Sequence, residues 1–322
     1  MLLDSCDRQM IDRWQRDFPL VARPFAEMAA NLETTETEVI ARLIRLRESG
    51  ALSRVGAVVR PNTVGASTLA AVSVPADRIE AAADAVVCEP GVNHAYEREH
   101  AYNLWFVVTA PNAIEVAAII ALIEARLGAQ ALVLPMLRDF HIDLGFSLFG
   151  AAPRPRVAPA RSASATVDET DRHLLAALEG GVDLVTRPFA SVGARAGMSE
   201  SQILARLQAL LASGVVSRFG LVVRHRHFGY SSNAMVVWDI PDDQLAQVAG
   251  RFAAQDFVTL CYERPRRPGW RYNLFTMIHG REREAALGQI AGLAASAPDV
   301  RDHAVLFSRH CFVQRGARLS AA

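Results

Sequence analysis

Lysine is absent: all 34 basic residues of the 322-residue chain are arginine. That excludes Schiff-base chemistry through a lysine, and with it pyridoxal-phosphate enzymes and lysine aldolases. It also excludes a Walker-type phosphate loop, and no glycine-rich loop stands in for one. Cysteine is scarce. Cys6, Cys88, Cys261 and Cys311 lie far apart without a Cys-x-x-Cys pair, so the expectation is reduced structural thiols in a cytoplasmic protein. There is no HExxH, facial triad or acidic cluster of metal-ligand spacing, so no metal centre or resident cofactor is expected. No apolar run reaches the ~20 residues of a membrane span. The opening MLLDSCDRQM already carries acids, unlike a secretory signal. Net charge is zero, which argues against the basic face of a duplex-DNA binder.

What is present is said twice. Residues 7–65 recur as 171–229 at a constant offset of 164. Arg23-Pro24-Phe25 returns as Arg187-Pro188-Phe189, and Ser53-Arg54-Val55-Gly56 as Ser217-Arg218-Phe219-Gly220. Further on, Tyr96-Glu97-Arg98 is echoed by Tyr262-Glu263-Arg264, and Tyr102-Asn103-Leu104 by Tyr272-Asn273-Leu274. A period this long is a duplicated domain. A duplicated chain is a homodimer made covalent, and its halves are free to diverge. The hydrophobic content of 51% is ample for two cores.

Each half opens with three helical segments. In the first they are 7–16, 25–32 behind Pro24, and 36–48 capped by Thr34/Thr35 and closed by Gly50. Alternation over 51–60 follows, so a winged helix-turn-helix is expected over 1–66, and its copy over 167–230. The remainder of each half, 67–149 and 231–322, runs strand, helix, strand, strand, helix, strand. That order predicts an α+β, ferredoxin-like βαββαβ domain with one uncovered sheet face. Two such sheets stacked as an intrachain pseudodimer would cover each other, and the seam could hold a ligand. Residues 150–166, rich in Pro, Ala and Ser, read as a linker.

The hairpin between the second and third strands of this module differs most between the halves. The second turn is four residues longer: Tyr96 pairs with Tyr262 at an offset of 166, Tyr102 with Tyr272 at 170. The first turn holds His100; the second holds Arg264, Arg266, Arg267, Trp270 and Arg271. His100 suits a proton donor or an axial iron ligand, or else a solvated turn. Arginines there suit carboxylates, which they grip bidentately; Arg98 and Arg264, at equivalent strand ends, are favoured. Trp105, Trp270 and Phe275 could stack a flat macrocycle or fill a core. His225 and His227 would share a strand face after the wing, and His310 on the last strand matches Arg138. His141, His279 and His303 are pocket or core candidates, while His94 and His173 read as structural.

With these residues in place, the helix-turn-helix plus βαββαβ plan resembles the Lrp/AsnC regulators. The blocks YEREHAYNLWF (96–106) and CYERPRRPGWRYNLFTMIHG (261–280) resemble the siroheme decarboxylases, the first half a NirD-type and the second a NirL-type subunit. The resemblance implies loss of two acetate carboxyl groups from siroheme, giving 12,18-didecarboxysiroheme on the route to heme d1. For that reaction the asymmetry of the hairpins points to His100 as the acid, with Tyr96 or Arg98 placing the acetate. Arg264, Arg266, Arg267, Trp270, Trp105, His225, His227 and His310 would contact substrate. No cofactor is expected, since the siroheme iron arrives with the substrate. Expected partners are siroheme and other heme-biosynthesis proteins, without membrane or nucleic acid. The competing expectations are a DNA-binding regulator using 36–48 or 199–212, or a tetrapyrrole carrier without turnover.

Overall fold

The computed structural model describes residues 3–142, 145, 147–150 and 167–316. In the first half the elements are α1 (Ser5–Trp14), α2 (Pro24–Asn31), α3 (Glu36–Glu48), β1 (Leu52–Val59), β2 (Ala66–Val72), α4 (Ile79–Val87), β3 (Val92–Arg98), β4 (Leu104–Ala110), α5 (Ala113–Leu127), β5 (Leu132–Pro135) and β6 (Arg138–Ile142). The second half repeats them as α6 (Glu169–Ala177), α7 (Pro188–Ala196), α8 (Glu200–Ala212), β7 (Val216–Val223), β8 (Ser232–Asp239), α9 (Leu245–Ala253), β9 (Val258–Glu263), β10 (Leu274–Gly280), α10 (Arg283–Ser296) and β11 (Asp302–Gln314). The linker lies outside the described residues apart from Gly150.

The chain divides into two units, each drawing on both halves. Met1–Val64 with Gly145–Phe228 is helical; Gly65–Leu144 with Gly229–Arg318 holds the large sheet. In the helical unit, Asp4 caps α1 by accepting from the Asp7 N–H at 2.8 Å. Arg42 of α3 binds both acids, at 2.6 and 2.9 Å, and Arg206 grips Asp168 and Asp171 in the same way. One duplicated ion cluster thus ties the first helix of each half to its third.

Neither half forms a wing of its own among the described residues. β1 pairs antiparallel with β7, Gly56 facing Gly220, to make a two-stranded ribbon between the halves. Its glycines are required by close approach. A Cβ on Gly220 would lie 2.4 Å from the Trp14 carbonyl, and one on Gly56 3.1 Å from the Gly181 Cα. The wing motif predicted from alternation is therefore a shared element.

In the second unit nine strands form one sheet in the order β5-β2-β4-β3-β11-β8-β10-β9-β6. Each half contributes a ferredoxin-like set, β5-β2-β4-β3 and β11-β8-β10-β9, with α4, α5 and α9, α10 packed on the helix-side cores. The expected pair of separate sheets is joined by exchange. The end of β11 pairs with β3, and β6 crosses to pair with β9. β5 and β6 are consecutive yet occupy opposite ends of the order, and Leu137 between them donates its N–H to Glu263 O of β9 at 2.9 Å. The faces turned away from the helices close on each other through Ala71, Trp105, Leu134, Val237, Trp270 and Phe275. Burial of this apolar surface covers what a lone ferredoxin-like sheet leaves to water. No described helix is long and apolar enough to cross a membrane.

Candidate active site

The repeated Tyr-Asn-Leu blocks position the site. Asn103 accepts from Val74 N–H at 2.9 Å and donates to Val74 O at 2.8 Å; Asn273 does the same with Ile240, at 3.0 and 2.9 Å. Leu104 and Leu274 are buried in the helix-side cores. The tyrosine is left at the mouth of the inter-sheet core. Each turn is thereby pinned at the same point, and what differs is the stretch before the tyrosine.

That difference builds a cleft. A cavity of about 510 Å³ is lined by His100, Arg267, Trp270, Arg271, Tyr272 and Asp302. His100 stacks parallel to Tyr102, with centroids 6.2 Å apart, and meets Trp270 edge-on at 5.5 Å. At the offset that relates Tyr102 to Tyr272, His100 corresponds to Trp270. Equivalent positions therefore touch each other, with histidine in one half and indole in the other. Tyr102 N–H donates to His100 Nδ1 at 3.0 Å, so the neutral ring carries its hydrogen on Nε2. Burial holds the imidazole below its ordinary value of 6.5. Trp270 is buried, and its indole N–H has no hydrogen-bond partner among the described residues.

The arginines divide sharply. Arg98 donates to Leu306 O at 3.1 Å and lies over the Tyr96 ring. Its counterpart Arg264 donates to Leu134 O and lies over the Tyr262 and Phe275 rings. The pairs are pseudosymmetric, so both residues tie one half to the other. The Arg264 head is enclosed although the residue as a whole is partly exposed, and burial pushes it down to about 10. Tyr262 beside it is raised, by burial first. Arg266 binds the buried Asp239 at 2.6 Å and Ile240 O at 2.6 Å, which makes it a brace of its own loop. Arg267 is exposed, with its Nε donating to Val133 O at 3.2 Å. Arg271, 64% exposed, is held loosely by Asp302 at 3.4 Å and Asp239 at 3.7 Å. Sequence reasoning weighted Arg98 and Arg264; the cleft itself presents Arg267 and Arg271.

Other candidates fall elsewhere. Trp105 is core, donating to Tyr102 O at 2.7 Å and packing on Trp270. Tyr96 packs between His94 and Arg98. His310 is exposed and packs on Phe312, which joins the helix-side core, so His310 is turned away from the inter-sheet seam. His225 and His227 sit in a short 3-10 turn of the helical unit rather than sharing a strand face, with His227 against Gly50. His141 is buried opposite Cys261, His279 bonds Thr259 at 2.8 Å, and His303 stacks on Trp238. Asp302 and Tyr272 were missed. The Tyr272 hydroxyl donates to Asp302 at 3.1 Å, and burial and this bond raise its pKa. Only the pairing of β11 with β8, across more than sixty residues, brings Asp302 to the turn, and no local pattern signals it. In the helical unit, α3 opens on Glu36 and Glu38, with Glu38 bound to Arg42 at 2.7 Å, so acids occupy the end of the helix a DNA reader would need basic.

Comparison with known proteins agrees with this architecture. Residues 64–141 and 227–312 match the AsnC-like ligand binding domain, and residues 7–52 and 171–216 match the siroheme decarboxylase NirDL-like HTH domain. The siroheme decarboxylase NirDL subunit of Paracoccus denitrificans is 45% identical over 326 aligned residues, covering 99% of both chains. A crystal structure of the siroheme decarboxylase NirDL superposes with a TM-score of 0.71 at 28% identity, over 98% of this chain and 94% of that one. A second, in co-complex with an iron-uroporphyrin III analogue, gives 0.69 at the same identity and coverage. Matched in both of its module types and along nearly its whole length, the chain belongs to the siroheme decarboxylase NirDL family.

Proposed function

We propose that the protein removes the carboxyl groups of two acetate side chains of siroheme, giving 12,18-didecarboxysiroheme for heme d1 synthesis, with His100 as proton donor. The observation that carries this reading is a half-buried histidine beside the loosely held Arg271 and the exposed Arg267 in one cleft. A polycarboxylate replaces the weak contacts of those guanidinium groups, and Arg271 exchanges its long contacts with Asp302 and Asp239 for a substrate carboxylate. The bond between the acetate methylene and its carboxyl carbon breaks, carbon dioxide leaves, and the electron pair stays on the methylene, spread into the macrocycle. His100 Nε2 gives that carbon a proton to complete the methyl group, then recovers one from solvent. Tyr102 and Tyr272, with the buried Trp270 behind them, exclude water, and the two tyrosines offer ring faces to the macrocycle. Arg98, Arg264 and Arg266 hold the frame rather than the substrate. No resident cofactor enters; the iron belongs to the substrate. The partner is siroheme, met by a pseudodimer within one chain.

Two results are expected. Anaerobic incubation with siroheme, followed by mass spectrometry of the tetrapyrrole, yields a product lighter by two carbon dioxide units; bound but unchanged siroheme would favour a carrier and sink the reading. The rate also depends on pH in a fixed direction. The donor is the charged imidazole, whose formation gives up the Tyr102 N–H bond to Nδ1, and burial sets its pKa below 6.5. Turnover is therefore highest on the acid side and falls as pH rises through that value, where the ring loses its proton. A single-turnover rate that climbs with pH across this range would exclude His100 as the acid.

A further inference from the structure

We infer that Glu99 and Arg283 form a latch by which the second half positions the His100 turn of the first, and that both are positioning residues for proton delivery. The inference rests on the decarboxylase reading of the His100 cleft. Glu99 immediately precedes His100, and everything that fixes it comes from the other half. Its N–H donates to Phe307 O on β11 at 3.0 Å. Its carboxylate takes both arms of the Arg283 guanidinium, at 3.0 and 2.7 Å. Arg283 in turn lies over the Phe307 ring, 3.9 Å from its centroid. Arg309 stands behind, 3.7 Å from the same carboxylate. The Arg283 contact holds the Glu99 carboxyl below the usual carboxylate range.

Two asymmetries mark the latch as more than a surface pair. Arg283 is the first residue of α10, where the helix dipole disfavours a cation. The equivalent first residue of α5 is Ala113. On the other side, the second turn is four residues longer and is held mainly within its own half, by the Arg267–Trp270 bridge and by Arg266 on Asp239 and Ile240, with one bond from Arg267 to Val133 O of the first half. Among the described residues the short turn has one internal main-chain bond beyond its Asn103 closure, from His100 N–H to Arg98 O at 2.9 Å. An exposed pair adds little to global stability. A bidentate one adjoining a proton donor fixes an angle, and small displacements of a reacting group carry large rate penalties. The latch also makes the donor's position depend on the second half being present and folded.

The test compares Glu99→Gln, Arg283→Ala and the double variant in the full chain. Each single change is expected to lower kcat for siroheme decarboxylation about tenfold, with iron-uroporphyrin III still binding within about twofold of the parent by absorbance titration. The double variant should fall no further than either single, since the two residues act as a unit. Carbethoxylation of His100, read by mass spectrometry against exposed His310, should quicken about threefold in all three as the turn loosens. Losses that multiply in the double variant, or kcat and His100 reactivity both unchanged, would overturn the latch. A parent protein without decarboxylase activity would sink the functional reading instead, and the modification rates would still decide the latch.

Discussion

His100→Gln leaves a protein that binds iron tetrapyrrole normally and loses carbon dioxide from siroheme about 10³-fold more slowly. General acid catalysis contributes about 10²–10⁴ when the donor is within reach. Glutamine retains a hydrogen-bonding side chain of similar reach but has no proton to give near neutral pH. The effect concentrates in kcat because His100 lies at the edge of an aromatic wall formed by Tyr102 and Trp270, which remains when the imidazole goes. The twin position holds Trp270, an indole that cannot take over as acid, so no second donor at the equivalent place masks the loss. Single-turnover kinetics with absorbance binding as control would check this. An undiminished rate would remove His100 from the mechanism.

Gly220→Ala is expected to destabilise the helical unit by about 3 kcal/mol or more, measured by urea denaturation of the full chain. The new methyl would stand 2.4 Å from Trp14 O and 2.6 Å from Gln15 O. Both are main-chain atoms that cannot swing aside. Arg218 also donates to Gln15 O, so shifting the end of α1 would strip an enclosed guanidinium of a partner. Gly56→Ala, the same change in the other half, faces only the Gly181 Cα at 3.1 Å and should be milder, about 1 kcal/mol. Equal losses at the two sites would show that the ribbon relaxes in a way the close contacts do not anticipate.

The duplication made much of the fold legible before any coordinates. Thr35, Gly50 and Pro24 marked helix ends correctly because capping and proline chemistry act over a few residues. What stayed hidden depended on partners distant in the chain. Leu52–Val59 alternates as a wing strand would, but nothing local says that its mate is Val216–Val223. Nor does the run from Leu132 to Ile142 show that its latter part leaves to pair with β9 of the other half. The same limit applied to the site. His100 stood out as a break in an otherwise repeated motif. Arg98 and Arg264, by contrast, looked like carboxylate clamps because a guanidinium bound to a main-chain carbonyl leaves no trace in sequence. Asp302 reached the cleft through strand register alone.

The exchange of strands sets a timetable for synthesis on the ribosome. The first ferredoxin-like set emerges early, yet the partner for its β3 edge is the stretch of β11 from Ser308 to Gln314, translated about two hundred residues later. Until then β3 presents an open row of amide and carbonyl groups, the kind of edge that recruits neighbouring chains. A ribosome that stalls before Ser308 would therefore release a nascent chain with its His100 turn already made and its border unsealed. Quality control would have to act on that species as an aggregation hazard, whereas emergence of β11 closes the border and, through Phe307, seats the residue beside His100 in the same event.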